Sequence, residues 1–148
     1  MGFTDLQTAI DYLRNHIRDT PELNDLLQAS EFTDADLAKA LNESLDIYNN
    51  TPPPLQPVTL QTIPSISVLI DGAAIRLLKS GGFLHIRNQL PFTDEGVTVD
   101  LHAKAQQYTQ WIANYIQDYQ QLLKSVKIAQ NLAQAYGAVY ASFPTEFF

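Results

Sequence analysis

From His102 to Tyr136 the chain contains neither proline nor glycine. Over that stretch Tyr108, Trp111, Ile112, Tyr115, Ile116, Tyr119, Leu122, Leu123, Val126, Ala129, Leu132, Ala133 and Tyr136 recur at steps of three and four. That spacing keeps apolar side chains on one side of a 3.6-residue turn and predicts a single helix over 102–136. At 1.5 Å per residue such a helix is about 50 Å long. A domain of this chain length has a radius of gyration of roughly 15 Å, so the helix is longer than the domain is wide. Either it kinks, or one end projects and packs on something else. Gly137 closes it, and a short tail over 137–148 follows.

The rest of the chain sets out what that helix has to lean on. Thr4 before Asp5 suits a helix N-cap, and Leu6, Ile10, Leu13 and Ile17 form one stripe, predicting a helix over about 4–18. Thr20-Pro21-Glu22 reads as a restart, with Thr capping, Pro at the first helical position and Leu23, Leu26 and Leu27 as a short apolar face. Thr33-Asp34-Ala35-Asp36 resembles a capping box with Asp in place of Glu, preceded by Phe32 as a staple. Leu37, Ala40, Leu41, Leu45 and Tyr48 continue it to about residue 49. Asn49-Asn50-Thr51-Pro52-Pro53-Pro54 ends that helix and predicts an extended Pro-rich strap over 51–63, held to the surface by Leu55, Val58, Leu60 and Ile63. Pro64 opens a buried helix over 64–80, which Ser80-Gly81-Gly82 is read as ending. Within 83–100, Asp94-Glu95-Gly96 is a turn signal between Leu90–Thr93 and the alternating Val97-Thr98-Val99, predicting one small β-hairpin. A two-stranded hairpin is marginal alone and needs a surface to rest on. The expected architecture is therefore mostly α: a helical bundle in one domain over 1–148, with a long C-terminal helix, the strap and the hairpin.

Charge narrows the function classes. Nine Lys and Arg against sixteen Asp and Glu leave a net charge of −7, so the chain gains little from releasing counterions off phosphates. Tight nucleic-acid binding is not expected, although DNA can pass nearby without adhering. There is no cysteine, hence no disulfide and no thiolate metal site. The first ten residues lack a basic region followed by an apolar run, and the apolar stretch Ile66–Leu78 is interrupted by Ser67, Asp71, Gly72 and Arg76. Neither a signal peptide nor a membrane span is expected.

No catalytic constellation emerges. His16, His85 and His102 fall in separate elements without a ligand partner three or four residues away, so no metal or cofactor site is expected. Asp34 and Asp36 sit where a helix N-terminus favours acids, and Asp94 and Glu95 sit in a turn. Lys79-Ser80-Gly81-Gly82 has the flavour of a phosphate loop but follows a helix, so its amides point the wrong way. No G-x-S-x-G surrounds any serine. The aromatic side chains Tyr108, Trp111, Tyr115 and Tyr119, together with Phe92, Val97 and Val99 of the hairpin region, are instead expected to pack core and subunit contacts. The tail carries Tyr140, Phe143, Phe147 and Phe148, whereas chain ends are ordinarily polar. These four are expected to dock, on their own domain or on a partner.

Several of these segments together resemble a virion protein family of tailed bacteriophages. They are TDADLAKALNESLDIYNNTPPP, the run Leu84-His85-Ile86-Arg87-Asn88-Gln89-Leu90, the Asp94-Glu95-Gly96-Val97 turn, and the closing Lys127, Asn131, Tyr136-Gly137 and Tyr140-Ala141-Ser142. The similarity covers roughly residues 33–142 and is one of spacing rather than of a diagnostic motif. It implies a small helical subunit of the neck, most like the adaptor (head-completion) proteins of the head–tail connector. Such subunits form a ring of copies below the portal, generally a dodecamer, and send C-terminal arms into it. The resemblance therefore implies the portal protein, further neck or tail proteins and other copies of the chain as partners. It places the chain in the virion, between capsid and tail, after synthesis in the host cytoplasm. The strap and the hairpin are not features of typical adaptors. They leave open another tail, baseplate or tail-completion subunit, or a bacterial helical interaction or regulatory domain.

Overall fold

The segment following Pro64 is apolar around nearly its whole circumference, and an element of that kind is stable only with neighbours on every side. In the computed structural model it becomes the central helix. The structure describes residues 2–24, 28–88 and 101–136, with the helical backbone alone for 82–88, 101–108 and 136. In chain order the helices are α1 (Leu6–Ile17), α2 (Asp34–Asn50), α3 (Ile66–Asn88) and α4 (Leu101–Tyr136). The described residues form an all-α bundle without strands. Residues 89–100, which include Phe92, Val97, Val99 and the expected hairpin, lie outside them.

Helix α3 buries Val68, Leu69, Ile70, Ala73, Ala74, Ile75 and Leu77. Its most extensive partner is α2; α1 packs on both, and α4 packs on α3. Helix α2 buries Leu37, Ala40, Leu41 and Tyr48 as its periodicity predicts, with Ser44 buried among them and the expected Leu45 only partly covered. Its start is a reciprocal capping box. The Asp36 amide donates to Thr33 Oγ1 (3.2 Å) and the Thr33 amide donates to Asp36 Oδ2 (3.0 Å). Aspartate thus closes the box although its side chain is one methylene shorter than glutamate.

Three boundaries differ from the sequence expectation. The cap of α1 is Asp5 rather than Thr4: its carboxylate accepts from the Thr8 amide at 2.7 Å. A carboxylate offers the N-terminal amides both an acceptor and a negative charge, which Thr4 cannot. Thr20-Pro21-Glu22 starts no helix within the described residues 20–24, where the carbonyl of Thr20 accepts from Leu23 and Asn24 in one turn; Leu26 and Leu27 of the expected apolar face lie outside the described residues. Helix α3 also runs through Ser80-Gly81-Gly82 to Asn88. Glycine disfavours a helix by only about 1 kcal/mol, which a continuing helix tolerates.

The 18–33 turn is organised by one buried acid instead. Asp19 is 4% exposed, and its carboxylate accepts from the amides of Glu31 (2.6 Å) and Phe32 (2.9 Å) and from Asn24 Nδ2 (2.8 Å). Arg14 completes the arrangement, donating to Asp19 Oδ2 (3.0 Å), the Phe32 carbonyl (3.0 Å) and Asp34 Oδ1 (2.7 Å). Burial pushes the Asp19 carboxyl up, but the amides of Glu31 and Phe32, Asn24 and the Arg14 charge outweigh it and hold it below the usual range.

Residues 51–65 connect α2 to α3 without helix or strand. Asn49 secures this connection at Val58, accepting from its amide (2.9 Å) and donating to its carbonyl (3.1 Å). The N-terminal residues lie on the same connection: the amides of Gly2 and Phe3 donate to Gln61 and Leu60. Phe3 is buried and meets Tyr12 edge-on at 5.4 Å.

The closest helix approach is at Gly72. A methyl group there would overlap Ser44 Oγ of α2 and lie 2.8 Å from Tyr119 Oη of α4, whereas one on Gly81 would meet nothing within 4 Å. Gly72→Ala is expected to destabilise the protein by about 2 kcal/mol or more through overpacking. Gly81→Ala is expected to be neutral or to stabilise by up to about 1 kcal/mol through helix propensity; urea unfolding of the two variants measures the contrast. For Asp19, a depressed native pKa means stability that is complete above the unfolded value and lost as pH falls through the native one. Asp19→Asn should therefore cost about 2 kcal/mol at neutral pH. It should also flatten the loss of stability below about pH 4, read from unfolding curves across acid pH.

Candidate functional site

Over its described side chains, 109–135, helix α4 touches the bundle along one line and leaves the rest of its surface outward. Tyr119, Leu123 and Lys127, spaced by four, are its buried residues among those described, with Tyr115, Ile116, Leu122 and Val126 partly buried beside them. Past Gln130 every described side chain is exposed, from Asn131 to Ala135.

Three polar arrangements fix that line. At its N-terminal end the Tyr115 hydroxyl donates to Asp71 Oδ1 of α3 at 2.8 Å. His16 of α1 places Nε2 at 3.5 Å from both the Tyr115 oxygen and the Asp71 carboxylate. Burial, then the hydrogen bond and charge of Asp71, push the Tyr115 phenol far up, so it remains a protonated donor. In the middle, the Tyr119 hydroxyl is buried beside Ser44, whose own hydroxyl donates to the Leu69 carbonyl at 2.8 Å; among the described residues the Tyr119 oxygen has no hydrogen-bond partner. At the far end, Tyr48 in the last turn of α2 donates to Gln130 Oε1, and Lys127 lays Nζ over the Tyr48 ring at 4.5 Å. Lys127 is 1% exposed, and burial pushes its amine down. The last turn of α2 carries no basic residue of its own. The Lys127 cation supplies from α4 the positive charge that a helix C-terminus favours.

The residues expected at subunit contacts therefore separate. Tyr119 is committed to the core of its own chain and Tyr115 to Asp71, since a ring facing Ser44 or bonded to α3 has no face left for a partner. Trp111 stacks on Tyr115 at 5.6 Å and remains 54% exposed, so it presents a surface. The side chain of Tyr108, and Tyr140, Phe143, Phe147 and Phe148 of the tail, lie outside the described residues. Two outward residues were missed by the sequence reading as surface features: Ile128 (46% exposed) and Leu132 (39%), one turn apart on the end that leaves the bundle. Lys127 was missed as a core residue, although its register with Tyr119 and Leu123 is the signal that would have found it.

Elsewhere, a groove of about 380 Å³ runs between the first half of α2 and the second half of α3. Phe32, Ala40, Leu77 and Gly81 form its apolar part, with Glu31, Asp36 and Glu43 around it. Lys39 and Arg76 also line it and reach Glu43 at 3.9 and 3.8 Å. His16, Asp71 and Tyr115 do not line this groove; their contacts join α1, α3 and α4. No group of His, Asp or Glu among the described residues has the geometry to hold a metal ion. None of their helices is long and apolar enough to cross a membrane.

Removal of the unpartnered hydroxyl in Tyr119→Phe is expected to leave stability unchanged or raise it by up to about 1 kcal/mol. Tyr48→Phe should cost about 1 kcal/mol by losing Gln130 while keeping the ring beneath Lys127. Thermal unfolding of both variants in parallel tests this ordering. Comparison with known protein families, with curated proteins and with solved structures finds no match to the chain.

Proposed function

We propose that the chain is a structural subunit of a tailed-phage virion, an adaptor-type component of the head–tail connector that joins portal to tail while DNA passes. The observation that carries this reading is α4. It has thirty-six residues, and among its described side chains those from Tyr115 to Gln130 seat on the bundle while Trp111, Ile128 and Leu132 face outward. A surface apolar group of this kind on a long rigid element suits contact with another protein. The net charge of −7 suits a channel wall that DNA crosses without adhering. In this reading the long helix and a hairpin within residues 89–100 hold neighbouring subunits, and the aromatic tail is the arm that enters the portal.

Deleting residues 142–148 should leave a folded protein, judged by circular dichroism, that no longer joins the portal in mixing experiments followed by electron microscopy. Normal incorporation of the truncated chain into virions would rule out the anchoring role.

A further inference from the structure

We infer that Lys127 is a weak point set into the seating of α4: the far end of the helix is held down over a buried, unpaired charge, so it lifts from the bundle before the rest unfolds. The inference rests on the surroundings of Lys127 and not on the connector reading.

A lysine that is 1% exposed ordinarily has an acid beside it. Among the described residues no carboxylate pairs with Lys127. The sequence around it supplies none. From Tyr119 to Tyr136 α4 contains no acid. From Asn49 to Ile70, which covers the end of α2, the connection and the start of α3, the chain has no ionisable side chain at all. On α2 the nearest acid is Asp46, which is exposed and stands two residues from Tyr48, on the other side of that helix. The titratable group that does face Lys127 is Tyr48, which meets the cation with the face of its ring. Lys124, on α4 itself, is exposed.

The ring face and the C-terminal end of α2 both favour the ammonium, but together they return less than it loses with its hydration. Burial pushes the Lys127 amine down, which marks the charged form as the disfavoured one in the seat. Little else holds this end. The Tyr48 hydroxyl donates to Gln130, Val126 is only partly buried, and every side chain from Asn131 to Ala135 is exposed. Towards the start of the helix the seat is closed instead, with Tyr119 and Leu123 both buried. The unbalanced charge thus sits at the last place where α4 is covered, where a stiff helix peels first. Lifting that end returns the ammonium to water while α2 and α3 keep the most extensive helix contact of the bundle.

Charge also sets the direction of the pH effect. The seat favours the neutral amine, so the full cost of the charge is present at neutral pH. It is relieved as pH rises towards the ordinary lysine value of about 10.4. The phenols along the same line stay protonated in that window, because burial pushes Tyr48, Tyr115 and Tyr119 up.

Because the chain has no cysteine, one introduced thiol reports on one place. Leu123→Cys lies under the seat one turn before Lys127, and Val68→Cys lies in the core of α3. Their reaction with a water-soluble disulfide reagent is followed in the full chain, each rate divided by that of a short cysteine peptide at the same pH. At neutral pH the Leu123→Cys thiol is expected to react faster than the Val68→Cys thiol. Adding Lys127→Met, which keeps an unbranched stem and removes the charge, is expected to slow the Leu123→Cys thiol roughly tenfold. Raising the pH to about 10 is expected to slow it in the parent and not in the Lys127→Met background. Should Leu123→Cys lose the helical signal in circular dichroism, Val126→Cys takes its place. Equal rates at the two thiols, a Lys127→Met chain that reacts as fast as its parent or faster, or a pH response that survives Lys127→Met overturns the inference.

Discussion

Three helices of this bundle meet where a side chain is missing. Ser44, Gly72 and Tyr119 come from α2, α3 and α4, and the absent Cβ of Gly72 is what lets a serine hydroxyl and a tyrosine ring occupy the same crossing. The consequences spread along α4. With Tyr119 in that gap, Leu123 and Lys127 follow on the same line, and Tyr115 is carried to Asp71 at the other side. The Tyr119 hydroxyl is left without a partner, a cost that close packing around it offsets. Interiors of this density respond to a single added methyl, so the crossing sets how α4 sits on the other helices.

Around this apolar centre, polar groups choose one arrangement among several that would bury similar area. Asp19 gathers amides from Glu31 and Phe32 and thereby fixes where α2 begins relative to α1. Asn49 grips Val58 from both sides of its peptide unit and fixes where the connection to α3 leaves α2. Both work by the same physics: a buried peptide group must find a partner, and one well-placed side chain satisfies several at once.

The elements whose cause is local were legible in the sequence. The α2 capping box depends on Thr33 and Asp36 alone, and the apolar faces of α1 and α2 follow from a helical period, so both could be read residue by residue. The run from His102 to Tyr136 gave α4 within a residue of its start. What could not be read depends on distant partners. Thr20-Pro21-Glu22 looks like a helix start, yet the carboxylate of Asp19 just before it binds the amides of residues twelve and thirteen positions away. Gly81 looks like a helix end because glycine usually is one, and only the course of α3 shows that nothing stops there. For the candidate site, Trp111 and Tyr119 stand on one stripe and could not be told apart in the sequence, although the first faces outward and the second is buried. Which ring faces in depends on where α4 meets the other helices, and Tyr119 meets them at the gap left by Gly72 of α3.

Lys127 carries an unusual chemical condition. An amine reacts as a nucleophile only in its neutral form, and burial that pushes the Lys127 amine down enlarges the neutral share. The same burial leaves 1% of the residue accessible, so reagents that acylate amines are kept from it. Lys124, three residues upstream on the same helix, is exposed. The ratio of labelling at these two lysines is thus a built-in gauge of whether α4 is seated against Tyr48.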